Sequence, residues 1–134
     1  MDGIRTPFTG EKPWGIEEVW ASSHAYVGKF LYIKGGHRLS RKYHRRKNHT
    51  IKVVEGTLTL EVGPHKEGGQ IEIHTLDAGE AYHLAPQTIH RFCAEGGAVT
   101  LVEVSSQGSD DSVRLEDDYR RITDIPELGP QSEK

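Results

Sequence analysis

Short β-rich runs of apolar and polar residues, punctuated by glycine, dominate this chain from Trp14 to Ser105, and no long segment carries the apolar recurrence of a surface helix. In Thr57-Leu58-Thr59-Leu60-Glu61-Val62 the two leucines and Val62 share one face while the threonines and Glu61 share the other, which is the pattern of a half-buried strand. Further β-rich runs span Ile16 to Ala21, Ala25 to Lys34, Leu39 to His44, Thr50 to Val54, Gln70 to Leu76, Ala81 to Leu84, Ile89 to Ala94 and Ala98 to Ser105. Gly35-Gly36, Glu55-Gly56, Gly63-Pro64, Gly68-Gly69, Asp77-Ala78-Gly79 and Gly96-Gly97 separate these runs with residues suited to tight turns. Short strands with regular turns predict an all-β barrel or sandwich of antiparallel sheet. Gln107 to Asp111 reads as a polar loop, and Pro126 to Lys134 as a mobile tail.

A chain of 134 residues, 34% of them hydrophobic, suits one core and is short for two, so a single domain over 1–134 with its core at about 11–122 is expected. The formal charge of -3 argues against a general nucleic-acid binder. Arg38, Arg41, Lys42, Arg45, Arg46 and Lys47 nevertheless form a basic cluster, either a solvated loop face or part of a site for a small anion. No stretch approaches the roughly 20 apolar residues of a membrane helix. Met1 to Gly10 lacks the apolar core of a signal peptide, and the single cysteine, Cys93, reads as a buried structural thiol. A cytoplasmic location is the matching expectation.

The glycines and histidines carry a further register. Gly36 is followed after five residues by Lys42 and His44, after four more by His49, and after six more by Gly56; Gly79 and His90 lie eleven positions apart. These spacings resemble the two sequence motifs of the cupins, which implies a double-stranded β-helix, or jelly-roll barrel, with a metal-centred pocket. A short irregular or helical C-terminal tail would follow it. Strand alternation agrees with a pocket, since Ser40, Lys42 and His44 project from one face and Tyr43 from the other. Antiparallel packing can bring His49 and His90 opposite His44. Three neutral imidazoles plus water suit zinc, or manganese, iron, nickel or cobalt, with one position left open for chemistry.

The other histidines read differently: His24, His65 and His74 as surface residues, His37 and His83 as ambiguous neighbours of the motif positions. His49 is open between ligand and structural roles. Lys42 stands where cupins carry a ligand, yet an ammonium has no lone pair to coordinate a metal, so holding a substrate phosphate is its alternative role.

Three segments narrow the resemblance: Lys12-Pro13-Trp14-Gly15, Gly36-His37-Arg38-Leu39-Ser40 and Val113-Arg114-Leu115-Glu116-Asp117-Asp118-Tyr119. Together they resemble the type II mannose-6-phosphate isomerases, over roughly residues 11 to 122. That family's unit often forms the C-terminal domain of a bifunctional mannose-1-phosphate guanylyltransferase/isomerase; no guanylyltransferase segment is present in this sequence. The resemblance implies interconversion of mannose 6-phosphate and fructose 6-phosphate on the path to GDP-mannose. It puts the family's glutamine ligand at Lys42, its first histidine at His44, its glutamate at His49 and its distal histidine at His90. Arg91, Arg114, Tyr82 and Glu103 also match. Departures are Arg45-Arg46-Lys47 in place of a histidine-rich stretch, Ala85-Pro86-Gln87 in place of proline-x-glycine, and Ala94 in place of asparagine.

An isomerase of this kind needs a metal to polarise the carbonyl, a proton carrier and an anion anchor. The metal ligands are expected to be His44, His49 and His90, each ring oriented by a second hydrogen bond. Arg114, Arg91, Lys29 and Lys42 are the candidate cations for the phosphate, with Tyr82 a further substrate contact; strict alternation turns Arg91 away from His90. Arg114 is equally open to a structural salt bridge with Glu116, Asp117 or Asp118. Glu103, in the apolar run Leu101 to Val104, is either a base of raised pKa or a carboxylate paired with an arginine at the barrel rim; His37 and Glu80 are weaker bases. The expected catalytic set is therefore Arg114, Glu103 and Lys42. Two other functions remain open: a cupin that binds a sugar or sugar phosphate without isomerising it, and an iron-dependent oxygenase with three histidines. A homodimer is expected from the exposed edges of such sheets.

Overall fold

The computed structural model describes residues 3–107 and 111–119. Eleven strands follow one another: β1 Phe8–Lys12, β2 Gly15–Ser22, β3 Tyr26–Ile33, β4 Arg41–His44, β5 His49–Glu55, β6 Leu58–Pro64, β7 Glu72–Leu76, β8 Ala81–Leu84, β9 Thr88–Cys93, β10 Val99–Ser106 and β11 Ser112–Glu116. There is no helix among the described residues, and so none long and apolar enough to cross a membrane. The strands form two antiparallel sheets, a first of order β1-β2-β3-β10-β5-β8 and a second of order β11-β4-β9-β6-β7. Sequence neighbours repeatedly fall in opposite sheets, the jelly-roll arrangement expected from the glycine-punctuated runs. The tail at Pro126 to Lys134 lies outside the described residues.

Two strands go beyond the alternation reading. β1 has an exposed edge, so its apolar content is low and its signal weak. β11 forms where a charged segment, Arg114 to Asp118, hides the period; its register against β4 places Val113 opposite Tyr43 and Arg114 opposite Lys42.

The inward positions change character along each strand. On β5 they run from His49 through Ile51 to Val53; on β10, its antiparallel neighbour, from Ser105 through Glu103 to Leu101 and Val99. β3 passes from Lys29 to Leu31 and Ile33, and β9 from His90 to Phe92 and Ala94. One end of the barrel is consequently a closed apolar core, in which Ile51, Val53, Leu58, Leu60, Leu84 and Leu101 are fully buried, each contributing about 1.5–3 kcal/mol. The other end collects the polar members of the same strands around a mouth.

Two glycines make this closure possible. Gly56 adopts φ 88°, and a Cβ there would stand 2.4 Å from the carbonyl oxygen of Ala98, so the β5–β6 turn packs backbone on backbone. At Gly15 a Cβ would lie 1.8 Å from the Tyr32 carbonyl oxygen, which explains the glycine after Trp14, a residue 4% exposed in the core.

Candidate metal centre and anion pocket

The polar mouth is a cavity of about 300 Å³, at the small end of the range for ligand pockets. One wall, from the first sheet, carries Glu17, Val27, Lys29, Leu31, His49 and Glu103; the other carries Ser40, Lys42, His44, Phe92, Ser112 and Arg114. Lys12, Trp14 and Lys47 stand among its further lining residues. Five of these residues are lysine or arginine against two carboxylates, so basic groups predominate in the cavity lining.

At its base His44, His49 and His90 converge, each offering a ring nitrogen within 4.8 Å of the others. Their ring centroids are 4.9, 5.9 and 4.8 Å apart for the pairs 44–49, 44–90 and 49–90. Each ring has its Nδ1 occupied. That of His44 meets Asp111 Oδ1 at 3.0 Å, that of His49 meets Glu103 Oε2 at 2.5 Å, and that of His90 donates to the Thr88 carbonyl at 3.0 Å. With Nδ1 protonated, Nε2 retains the lone pair, and three such nitrogens facing one another form the donor set a divalent metal requires. The Nε2 of His90 is buried and has no hydrogen-bond partner. A buried acceptor without a partner is costly in a purely structural histidine and is satisfied by a metal ion, so the residues fit the group.

The electrostatics point the same way. Burial, helped by Lys42 and His49, pushes His44 down to about 4, and burial with the same neighbours holds His90 well below the usual histidine range. Both are neutral, as ligands must be. Burial alone would raise Glu103, but its hydrogen bond to His49, with the nearby positive charges of Lys29 and Lys42, holds it well below the usual carboxylate range. Burial likewise opposes the shift at Asp111, yet the amides of Arg46 and Lys47 and the ring of His44 keep its carboxyl low. For the metal-free protein the sign is fixed: unfolded histidine titrates near 6.5 and folded His44 near 4, so the unfolded chain binds the extra proton between them. Stability in chelator is therefore expected to fall by roughly 3 kcal/mol from this group as pH drops from about 6.5 to about 4. Urea melts at pH 7 and pH 4.5 check it; equal midpoints would contradict the buried, neutral His44.

Most of the expected site residues meet here. Lys42 is the cross-strand partner of both His90 on β9 and Arg114 on β11, so Arg114, Lys42 and His90 form one inward row spanning two strand spacings, about 10 Å. Lys29 lines the cavity with Nζ 2.9 Å from Glu17 Oε2, and it pairs across strands with Glu103. Glu103 corrects one expectation: it is neither a base of raised pKa nor an arginine partner, because its oxygen is committed to His49.

Two expected substrate contacts lie elsewhere. Arg91 faces the opposite side of the second sheet, where its side chain is 1% exposed, its Nε donates to the Leu39 carbonyl, and its guanidinium meets Glu116 and Asp118. Glu116 also pairs with Arg41, and Asp118 takes a two-pronged bond from Arg38. Glu116 and Asp118 therefore clamp the outer face of the second sheet. Tyr82 packs against the apolar core with its ring 5.6 Å from His74, where β7 and β8 close the seam between the sheets. Cys93 is buried as expected, and burial with the nearby Glu61 pushes its thiol up to about 11.

Asp111 and Glu17 are functional candidates that sequence reasoning passes over. Asp111 sits in a polar loop, and the signal was its place just ahead of β11, whose pairing with β4 carries it to His44. Glu17 belongs to an alternating run whose inward face was legible, yet nothing local showed that this face opens on a cavity.

The chain matches the family model described as mannose-6-phosphate isomerase C-terminal over residues 4–122. It belongs to that family. No curated protein matches the chain in sequence. Among solved structures it is similar to the capsular polysaccharide assembling protein CapF of Staphylococcus aureus, with a TM-score of 0.75 at 14% identity over 84% of this chain and 35% of that one. KdgF from a Halomonas species gives 0.65 at 20% identity over 78% and 89%. A putative sugar phosphate isomerase of Acidithiobacillus ferrooxidans gives 0.53 at 11% identity over 63% and 51%. The chain spans about a third of the length of the CapF chains it matches, and at these identities the likeness establishes the cupin fold alone.

Proposed function

We propose that this cupin is a metal-dependent aldose–ketose isomerase acting on mannose 6-phosphate and fructose 6-phosphate. The observation that carries the reading is the row Arg114–Lys42–His90, which sets an anion anchor about 10 Å from a metal-binding triad, a separation suited to a sugar phosphate held at both ends. Membership of the mannose-6-phosphate isomerase family supports a sugar phosphate as the substrate. His44, His49 and His90 would hold a divalent ion, zinc being the first choice for three imidazoles, and the ion would supply Lewis-acid polarisation of the sugar carbonyl.

The remaining work falls to the chain's own groups. Arg114 presents a planar fork of donors to the phosphate, and Lys42 places a positive charge between that anchor and the triad, where it stabilises an oxyanion on the sugar. Moving the carbonyl between C1 and C2 requires a proton to leave one carbon and return to its neighbour. Of the two cavity carboxylates Glu103 is committed to His49, which leaves Glu17 to carry that proton; its bond to Lys29 orients it. Trp14, Phe92 and Leu31 line the cavity with apolar surface that limits water.

A coupled assay on zinc-loaded protein with mannose 6-phosphate tests the reading, and turnover to fructose 6-phosphate is the expected result. Glu17→Gln should lower kcat by about 100-fold with little change in KM. Metal-loaded protein that binds the sugar phosphate without turnover would identify a binding cupin, which Lys42 at a ligand position favours. Oxygen consumption with iron would identify an oxygenase. We also propose a homodimer, supported by the exposed edge strand β1 and by exposed Trp20, Tyr26 and Val104; sedimentation equilibrium measures its mass.

A further inference from the structure

We infer that Gln87, an exposed residue outside the cavity, is a positioning residue that holds the His90 turn in register with the His44 strand, and so sets the spacing of two of the three histidines. The inference rests on reading that triad as a metal site. Gln87 is the one non-glycine residue among those described with a positive φ, 64°. Side chains other than glycine rarely adopt this left-handed conformation, and they persist there when the surrounding structure holds them. What holds Gln87 is visible in its bonds.

β4 and β9, which carry His44 and His90, share a single registered pair within the strands, Lys42 with His90. Past that pair toward the mouth, the connection is made by Gln87. Its amide donates to the His44 carbonyl at 2.8 Å, and its side-chain Nε2 donates to the Arg45 carbonyl at 3.2 Å. On the other side its carbonyl accepts from the His65 amide at 3.0 Å, and its Oε1 lies 3.2 Å from His65 Nδ1. The His65 ring in turn stacks on Tyr43 with centroids 3.9 Å apart, gripping β4 from its outer face. The residue after Gln87 is Thr88, whose carbonyl takes the Nδ1 proton of His90. One left-handed residue thus ties the backbone of His44 to the acceptor that orients His90.

Glycine would take this φ without penalty but would lose both side-chain bonds. That contrast separates positioning from stability. Titrations of wild type, Gln87→Gly and Gln87→Ala with cobalt(II), read by a competing chelator and by the d–d absorption, measure affinity and coordination geometry; thermal melts of the metal-free proteins measure stability. Gln87→Ala keeps the strained backbone and loses the bonds, so its Tm and its affinity should both fall. Gln87→Gly should hold or raise Tm while its cobalt affinity falls by about 3- to 10-fold, less than for a group bonded directly to a ligand, with an altered d–d band. A Gln87→Gly protein with wild-type affinity and spectrum would overturn the proposal while leaving the metal site standing. A wild-type protein that takes up no cobalt would remove both readings.

Discussion

Replacing His44 and His90 together by alanine is expected to lower divalent-metal affinity by more than about 100-fold while the barrel still folds. The magnitude follows from the ligand count: groups that merely orient a metal-bound histidine are worth about 10–100-fold, and here two of three direct donors disappear. The fold should survive because the apolar half of the barrel, from Ile51 to Leu101, lies beyond the triad, and because the wild type buries an Nε2 of His90 that has no hydrogen-bond partner. Metal content after dialysis, measured beside circular dichroism, decides the matter. Undiminished metal in the folded double variant would move the site elsewhere.

Arg114→Lys is expected to weaken mannose 6-phosphate binding by about 10- to 100-fold with the metal still bound. Lysine keeps the charge at this position, 7% exposed and lining the cavity, but loses the fork that matches two phosphate oxygens at once. A bond to a charged group contributes about 1.5–3 kcal/mol, which sets the size of the loss. The alternative is an arginine that only braces β11 through a salt bridge. Isothermal titration with the sugar phosphate makes the measurement. Unchanged affinity in a folded variant would assign the anion to Lys42, Lys29 or another cation of the cavity.

Alternation and glycine spacing determined much about this protein without any coordinates. The period of two in Leu58 to Val62 and in Ser40 to His44 states which side chains share a face, because successive residues of an extended chain point to opposite sides whatever lies beyond them. The same rule turned Tyr43 and Arg91 outward. Glycines at 36, 56 and 79, all at positive φ, mark turns that other residues rarely make, so the register of the histidines between them was legible too. Only the tertiary structure decided the partners. His49 meets Glu103 across 54 positions of chain and His44 meets Asp111 across 67, pairings set by which strands become neighbours in each sheet. Periodicity gives the face of a strand but neither its neighbour nor its depth: it could not tell that Tyr82 lies at the closed seam, that Glu17 opens on the cavity, or that Glu103, which looks locally like a carboxylate in an apolar strand, stays ionised beside a histidine. Depth and neighbour are properties of the assembled sheets, and the convergence of the three histidines, the row of Arg114, Lys42 and His90, and the electrostatics all follow from them.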